Sequence, residues 1–159
     1  MDMDDVYKEM IDSGFLKKKQ ITGCSGAEIE QLKADLHVDL PADYQQFLRL
    51  MGHEMGNVFM GEDAAYGDLR RLQDEGRGAA RDNGFSLPAG AFVFLGHQGY
   101  RYYYLQPGGE VYVFDEGDKE PEEISKRFTD FLYQWFKEAK EIDDSMPSNV
   151  EFLTLDDLE

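Results

Sequence analysis

Residues 40–52, LPADYQQFLRLMG, contain every feature of one short amphipathic helix. Pro41 lacks a backbone N–H and has a φ close to the helical value, so it suits the first turn. Apolar residues then follow three, four and seven positions after Tyr44 and share one face with it, namely Phe47, Leu48 and Met51. Gly52 predicts the end of the helix, in the left-handed conformation that glycine tolerates. We therefore expect this helix to pack its aromatic face into the core.

Four further helices are predicted from the apolar spacing of the flanking segments. They cover residues 4–14, a segment that starts at Ser25, residues 65–82 and residues 124–141. Ser25 followed by Glu28 forms the pattern of a capping box, which marks the start of the second helix. The last helix is the most apolar and places on one side Ile124, Phe128, Phe131, Leu132, Trp135 and Phe136.

Strands are predicted between these helices. Three runs at 91–96, 100–106 and 110–115 are joined by the turns HQG and PGG and predict an antiparallel meander. The first and third runs are almost continuously apolar, so helices are expected to cover both faces of the sheet. A short strand is predicted around Val58 to Met60, and Val150 to Leu155 are expected to form an edge strand or a docked tail. The fold class is therefore α+β, a central, mostly antiparallel sheet of about four to six strands flanked by helices.

The formal net charge of the 159-residue chain is −17, and the acids are concentrated in two segments. Residues 110–123 contain seven acids and one lysine, and residues 141–159 contain seven acids and no base. Such a surface repels nucleic acid and anionic membranes and speeds association with basic partners. The alternative interpretation is that the acids serve solubility alone.

The sequence also indicates the cellular compartment in which we expect the protein. No apolar run is long enough to span a membrane, and the start MDMDDVYKEM lacks the basic and then apolar pattern of a signal peptide. The single Cys24 permits no internal disulfide, which fits a reducing compartment. We expect one domain, residues 1–159, in the cytoplasm.

Patterns typical of catalytic or metal sites are not found in the sequence. His37, His53 and His97 lack the spacing of a zinc or iron site. Cys24 in GCSG lacks the surroundings of a thiol nucleophile, and residues 115–123 are acidic without the ligand spacing of a calcium loop. We therefore expect no cofactor, no metal and no enzymatic activity.

The remaining candidate for function is a surface of tyrosines and acids. Along the strand at 100–105, alternate residues point to opposite faces, and one of the two sets is expected to be partly uncovered. Tyrosine suits a protein interface because it buries a large area and keeps a hydrogen-bonding tip, although packing against helices explains these rings equally well. The predicted partner-binding residues are Asp115, Glu116, Asp118, Glu120, Glu122, Glu123, Tyr100, Tyr102 and Tyr103.

The order of these elements resembles the SUKH superfamily, the Smi/Knr type. The most recognisable part is LP-x-D-Y-x-x-F-L-x-x-x-G, which residues 40–52 match, and it is followed by LPAGAFVFLGHQGYRYYYL and ISKRFTDFLYQWF. The resemblance covers about residues 22–140. Residues 1–21 are then an N-terminal helical extension of the single domain, and residues 141–159 are an acidic C-terminal tail.

The resemblance implies a binding module without catalysis. Bacterial domains of this type are inferred to be immunity proteins, antitoxins that neutralise a cognate polymorphic toxin, often a nuclease. A basic nuclease matches the acidic surface, and the expected mechanism is occlusion of the toxin's active site, with acids standing in for phosphates. The alternatives are a regulatory or scaffold protein that binds endogenous partners, as eukaryotic relatives do, and, less favoured, a small-molecule-binding protein.

Overall fold

The computed structural model describes residues 1–146 and has an α+β architecture, as predicted. Its five α-helices are α1 (Met3–Asp12), α2 (Gly26–Leu36), α3 (Ala42–Met51), α4 (Leu69–Asn83) and α5 (Phe128–Ser145). Its strands are β1 (Ile21–Thr22), β2 (Glu54–Met55), β3 (Phe92–His97), β4 (Arg101–Leu105), β5 (Val111–Asp115) and β6 (Glu122–Ser125). The segment Val150 to Leu155, for which a strand or tail was predicted, lies outside the described residues.

The strands form two antiparallel sheets. The larger sheet has the order β3-β4-β5-β6, so the predicted meander is confirmed and extended by one strand. The smaller sheet pairs β1 with β2. One face of the larger sheet packs against α4, and α3 and α5 pack against the other, with α1 resting on α3 and α5.

The core is centred on the aromatic face of α3, as its spacing predicts. Phe47 and Tyr44 are buried, and their ring centroids both lie 5.0 Å from that of Phe128 on α5. The Tyr44 ring also packs against Phe92 and Phe94 of β3 at 5.6 and 6.0 Å. This cluster joins α3, α5 and the sheet, and aromatic pairs in such geometry add to the stability gained from buried area.

The boundaries of α2 and α3 agree with the capping analysis in part. The Ser25 side chain accepts a hydrogen bond from the Glu28 amide, and the Glu28 carboxylate accepts one from the Ser25 amide, which confirms the capping box. Pro41 lies one position before α3. The left-handed conformation predicted for Gly52 is wrong, because its φ is −61°. Glycine is needed there for space, since a Cβ would lie 2.4 Å from Cys24 Sγ.

The strand predicted around Val58 to Met60 is also wrong. This segment forms turns, in which Val58 and Phe59 are buried and Phe59 has a φ of 52°. The Phe59 ring lies 4.9 Å from that of Trp135 and 5.9 Å from that of Phe47. The apolar run therefore anchors a loop to the core instead of pairing as a strand.

The predicted start of the last helix at Ile124 is a third correction. Residues 122–125 form β6, which pairs with β5, and α5 begins at Phe128. Ile124 therefore lies on the edge strand with 40% of its surface exposed, whereas Phe128 and Leu132 face the core as predicted. Ile124 fits the helical spacing by coincidence, because Phe128 follows it by four positions.

A conservative substitution tests one unusual feature of this core. The Tyr44 hydroxyl is buried and has no hydrogen-bond partner among residues 1–146. Tyr44→Phe is therefore expected to raise the free energy of unfolding in urea by about 1 kcal/mol, since it removes an unsatisfied polar group. Tyr102→Phe is the control, because the Tyr102 hydroxyl donates to the Gly99 carbonyl and its loss should destabilise. A loss of stability in Tyr44→Phe would contradict the expectation.

Within residues 1–146, none of the helices combines the length and the apolar character needed to cross a bilayer.

Candidate functional site

One concave surface collects several of the predicted partner-binding residues. It lies where β4, β5 and β6 meet α5 and consists of two adjoining cavities of about 420 and about 290 Å³ that share Tyr103 and Ile124. We call it the acidic-rimmed surface. Its floor is formed by Tyr103, Val113, Ile124, Phe131 and Trp135, and its rim by Asp115, Asp118, Glu122, Asp130 and Glu138.

The alternation of β4 decides which tyrosine reaches this surface. Tyr103 points toward α5, where its ring lies 5.4 Å from that of Phe131. Tyr102 points to the opposite face, lies 5.8 Å from the Phe114 ring and is only 4% exposed. Tyr103 is half-buried, and burial raises the pKa of its hydroxyl, so the ring enters any interface uncharged. The structure thus places Tyr102 in the core and Tyr103 on the surface.

The floor of the acidic-rimmed surface is accessible because helix α5 covers strand β5 only in part. Helices were expected on both faces of β3 and β5, and β3 is buried from Phe92 to Gly96. On β5, however, Val113 is only half-buried, because α5 starts beyond β6 and covers only part of this face. The prediction of full cover is therefore wrong for β5. The uncovered part is the floor of the acidic-rimmed surface.

The ion pair between Arg101 and Asp115 closes one end of the surface. Arg101 Nε and Nη2 donate to the two Asp115 oxygens at 2.6 and 3.0 Å. Hydrogen bonding to Arg101 lowers the pKa of Asp115 below its usual value. Asp115 therefore stays ionised, but its charge is balanced locally by Arg101.

The loop that follows Asp115 is tied to the C-terminal end of α4. Asn83 Oδ1 accepts from the Gly117 amide at 3.1 Å, and Asn83 Nδ2 donates to the Asp115 carbonyl at 2.9 Å. Asp118 Oδ2 accepts from the Asp115 amide at 2.8 Å. Gly117 has a φ of 91°, a conformation that favours glycine. These contacts hold the acidic loop in a defined position beside the sheet.

The remaining predicted residues lie on other parts of the surface. Tyr100, which is partly exposed, and Glu116 line a cavity of about 480 Å³ with Asp82 and Asn83 of α4, on the opposite face of the sheet. Glu120 is exposed on the loop. Glu123 pairs with Lys126, which lowers the pKa of Glu123. The predicted set is therefore divided between two faces.

The predicted acids lie on two faces of the sheet because the last of them belong to strand β6. Glu122 pairs with Val113 and Glu123 with Tyr112, so the two neighbouring carboxylates point to opposite faces. The sequence segment 115–123 reads as a single acidic loop, whereas its last two residues belong to a strand. Only the part of the acid cluster that faces α5 reaches the acidic-rimmed surface.

Comparison with known families identifies the fold. The model of the SMI1 / KNR4 family (SUKH-1) matches residues 23–134, which is more than half of the chain. The chain belongs to this family. No curated protein gives a significant sequence match. Membership of SUKH-1 is consistent with an immunity-protein-like domain that acts by binding another protein.

Several residues of the acidic-rimmed surface of this SUKH-1 domain were not among the partner-binding residues predicted from the sequence. The apolar spacing places Ile124, Phe131 and Trp135 on the buried side of the last helix and Val113 in a covered strand, and no pattern in the sequence points to Asp130 or Glu138. The sequence feature that could have indicated them is the set of acids along the last helix. Placing these acids next to the tyrosine strand requires knowing how α5 crosses the sheet.

The SUKH-1 domain also brings together Cys24, Glu28 and His53, although the spacing of its histidines did not predict a cluster. One potential ligand atom from each residue lies within 4.8 Å of the others. Burial raises the pKa of the Cys24 thiol to about 12, so the free thiol is protonated at neutral pH and is a poor nucleophile.

Proposed function

We propose that this SUKH-1 domain is a non-catalytic immunity protein, which binds a cognate polymorphic toxin in the cytoplasm of the producing cell. The toxin is a basic nuclease domain in this proposal. The observation that carries the proposal is the acidic-rimmed surface, a partly apolar concavity next to a ring of carboxylates.

The composition of the floor is the first argument that the partner is a protein. Tyr103, Ile124 and Trp135 are large side chains that remain partly accessible around one concavity. Aromatic and aliphatic anchors at the centre of a patch, with polar groups around them, are the usual arrangement of a protein interface. The rigid sheet under Tyr103 keeps the anchors in place before the partner binds.

The charges of the rim are the argument that this partner is basic. Arg101 and Arg127 pair with Asp115 and Asp130, at 2.6 and 2.8 Å. The carboxylates of Asp118, Glu122 and Glu138, by contrast, have no basic partner within residues 1–146. Three uncompensated charges on one concavity attract a positive surface and favour its rapid association.

The mechanism in this proposal is stoichiometric occlusion. A nuclease binds the phosphates of its substrate with lysine and arginine side chains, and the rim carboxylates would satisfy the same cations. The apolar floor would exclude water from the contact and slow dissociation. Inhibition then requires no chemical step by the immunity protein.

The experiment that tests the proposal is an affinity purification of the tagged full-length protein from its native host at low and at high salt. Recovery of one basic nuclease domain at near one-to-one stoichiometry, followed by inhibition of that nuclease by the purified protein, is the expected result. Recovery of several endogenous housekeeping proteins would favour a regulatory or scaffold role instead. Recovery of a stoichiometric toxin that remains active in the complex would overturn the occlusion mechanism.

The rim charges predict an effect on the association rate. Glu122→Gln combined with Glu138→Gln removes two of the uncompensated charges and should slow association with the toxin about tenfold at low salt. The difference should shrink at high salt, because exposed charges are screened. Stopped-flow or surface plasmon resonance at two ionic strengths measures both rates.

A charge-matched variant is the control for this prediction. Asp74→Asn combined with Glu54→Gln changes the net charge equally at exposed positions outside the acidic-rimmed surface. We expect this variant to associate at nearly the rate of the parent protein. Equal slowing in both double variants would assign the effect to net charge and contradict a role for this particular rim.

A further inference from the structure

The cluster of Cys24, Glu28 and His53 lies apart from the acidic-rimmed surface. We propose that these three side chains bind a zinc ion. One thiol sulfur, one imidazole nitrogen and one carboxylate oxygen lie within 4.8 Å of one another, and His53 Nε2 is 2.9 Å from Glu28 Oε2. The inference does not depend on the proposed function, since it concerns a different part of the molecule.

The backbone holds the two segments of this cluster side by side. The Cys24 amide donates to the Leu48 carbonyl at 2.8 Å, and the His53 amide donates to the Thr22 carbonyl at 2.9 Å. Gly52 lets the chains approach, because a Cβ there would lie 2.4 Å from the cysteine sulfur. The cysteine and the histidine are therefore placed by main-chain contacts that do not depend on the side chains themselves.

The third residue is positioned by the start of α2. Glu28 Oε1 accepts from the Ser25 amide at 2.8 Å within the capping box. The second oxygen, Oε2, is then directed toward His53. One carboxylate thus completes the helix cap with one oxygen and offers the other as a ligand.

The types and spacing of these ligands fit zinc. Thiolate, imidazole and carboxylate are all common zinc ligands, and in a tetrahedral site the ligand atoms lie about 3.3–3.8 Å apart. The three ligand atoms lie within 4.8 Å of one another, and the 2.9 Å hydrogen bond between His53 Nε2 and Glu28 Oε2 must open by a few tenths of an ångström for an ion to be bound between them. A thiolate disfavours magnesium and calcium, which prefer oxygen ligands.

The exposure of the three residues places the ion near the surface. Cys24 is 6% exposed, whereas the side chains of Glu28 and His53 are partly open to solvent. The ion would thus be reached from the histidine side, and water would occupy the fourth position. On binding, the Cys24 thiol releases its proton to solvent and the sulfur donates a lone pair to zinc.

A neighbouring tyrosine contacts the two partly exposed ligand residues. The Tyr66 ring lies 5.0 Å from the His53 ring, edge to face, and its hydroxyl donates to the Glu28 carbonyl at 3.0 Å. The Tyr66 amide also donates to the Gly52 carbonyl at 2.7 Å. The ring contact restricts the orientation of the His53 side chain, and the two hydrogen bonds hold the backbone at Glu28 and Gly52 in place beside it.

The direct test is titration of the reduced, metal-free full-length protein with Zn²⁺ in equilibrium dialysis, and with Co²⁺ by visible absorption. We expect one zinc per chain, a higher Tm with zinc, and the absorption of tetrahedral cobalt bound to a thiolate. Failure to bind one ion per chain would overturn the proposal.

Variants locate the site. Cys24→Ser, Glu28→Gln and His53→Gln should each lower the zinc affinity at least about tenfold, and Cys24→Ser should abolish the thiolate absorption. The matched control is His97→Gln, because His97 Nδ1 lies 2.7 Å from Glu62 in a second histidine–glutamate pair. Unchanged affinity in His53→Gln, or an equal loss in His97→Gln, would refute this site. His53→Gln also serves if Cys24→Ser fails to fold, since the His53 ring is partly exposed.

Discussion

Replacing Phe47 by alanine is expected to lower the free energy of unfolding by about 3–5 kcal/mol. Phe47 is buried, and its ring contacts Tyr44 on its own helix, Phe59 in the loop and Phe128 on α5. Because the ring packs between α3, the loop and α5, the expected loss includes both the transfer free energy of the ring and the cost of the cavity left behind. Equilibrium unfolding in urea, followed by circular dichroism, measures the change.

Arg49→Ala on the same helix is the control, because Arg49 is exposed and, among residues 1–146, its guanidinium donates only to Gln46 on the neighbouring turn. It should alter stability by less than about 0.5 kcal/mol. A comparable loss in both variants would mean that the helix, and not the aromatic cluster, limits stability. Retention of full stability by Phe47→Ala would contradict the central position of α3 in the core.

Replacing Ile124 by lysine is expected to weaken binding of the proposed toxin at least about thirtyfold, which corresponds to about 2 kcal/mol. Ile124 is 40% exposed on the edge strand and lies between the two cavities of the acidic-rimmed surface. A lysine there removes an apolar anchor and places a positive charge against a basic partner. The free protein should keep its Tm, because the side chain is exposed. Isothermal titration calorimetry with the toxin recovered from the host measures the affinity.

The same chain offers a matched control for that substitution. Ile142 is 65% exposed on α5 and lies outside the acidic-rimmed surface, so Ile142→Lys makes an identical chemical change elsewhere. We expect it to leave the toxin affinity within about twofold of the parent. Loss of binding in Ile142→Lys with normal binding in Ile124→Lys would place the interface at the C-terminal end of α5.

The parts of the fold that depend on local signals could be predicted from the sequence. The capping box of Ser25 and Glu28 and the aromatic face of α3 follow from spacing within one helix, and the β3–β5 meander follows from three successive apolar runs joined by short turns. β6 could not be predicted, because its four residues are mostly polar and become a strand by pairing with β5. Gly52 was misjudged for a similar reason, since its requirement comes from Cys24, which is distant in sequence.

The types of residue in the candidate site could be predicted from the sequence, but their arrangement in space could be predicted only in part. The residue types were anticipated, and Tyr103, Asp115, Asp118 and Glu122 of the predicted set do lie together. Whether Tyr102 or Tyr103 is exposed depends on which helix covers which face of the sheet, and strand alternation alone cannot decide this. The cluster around Cys24 likewise requires the tertiary contact between the start of α2 and the segment after α3.

The side-chain amide of Asn83 holds the acidic loop at two backbone positions, at Asp115 and at Gly117. Since the loop already has its shape, covering it removes little conformational entropy, and less binding energy is lost to ordering. In the proposed complex, the contribution of this loop to affinity then depends mainly on the chemical identity of its exposed side chains, from Asp118 to Glu120. Relatives that keep this tether could diverge at those positions and acquire new partners while the platform that presents them stays the same.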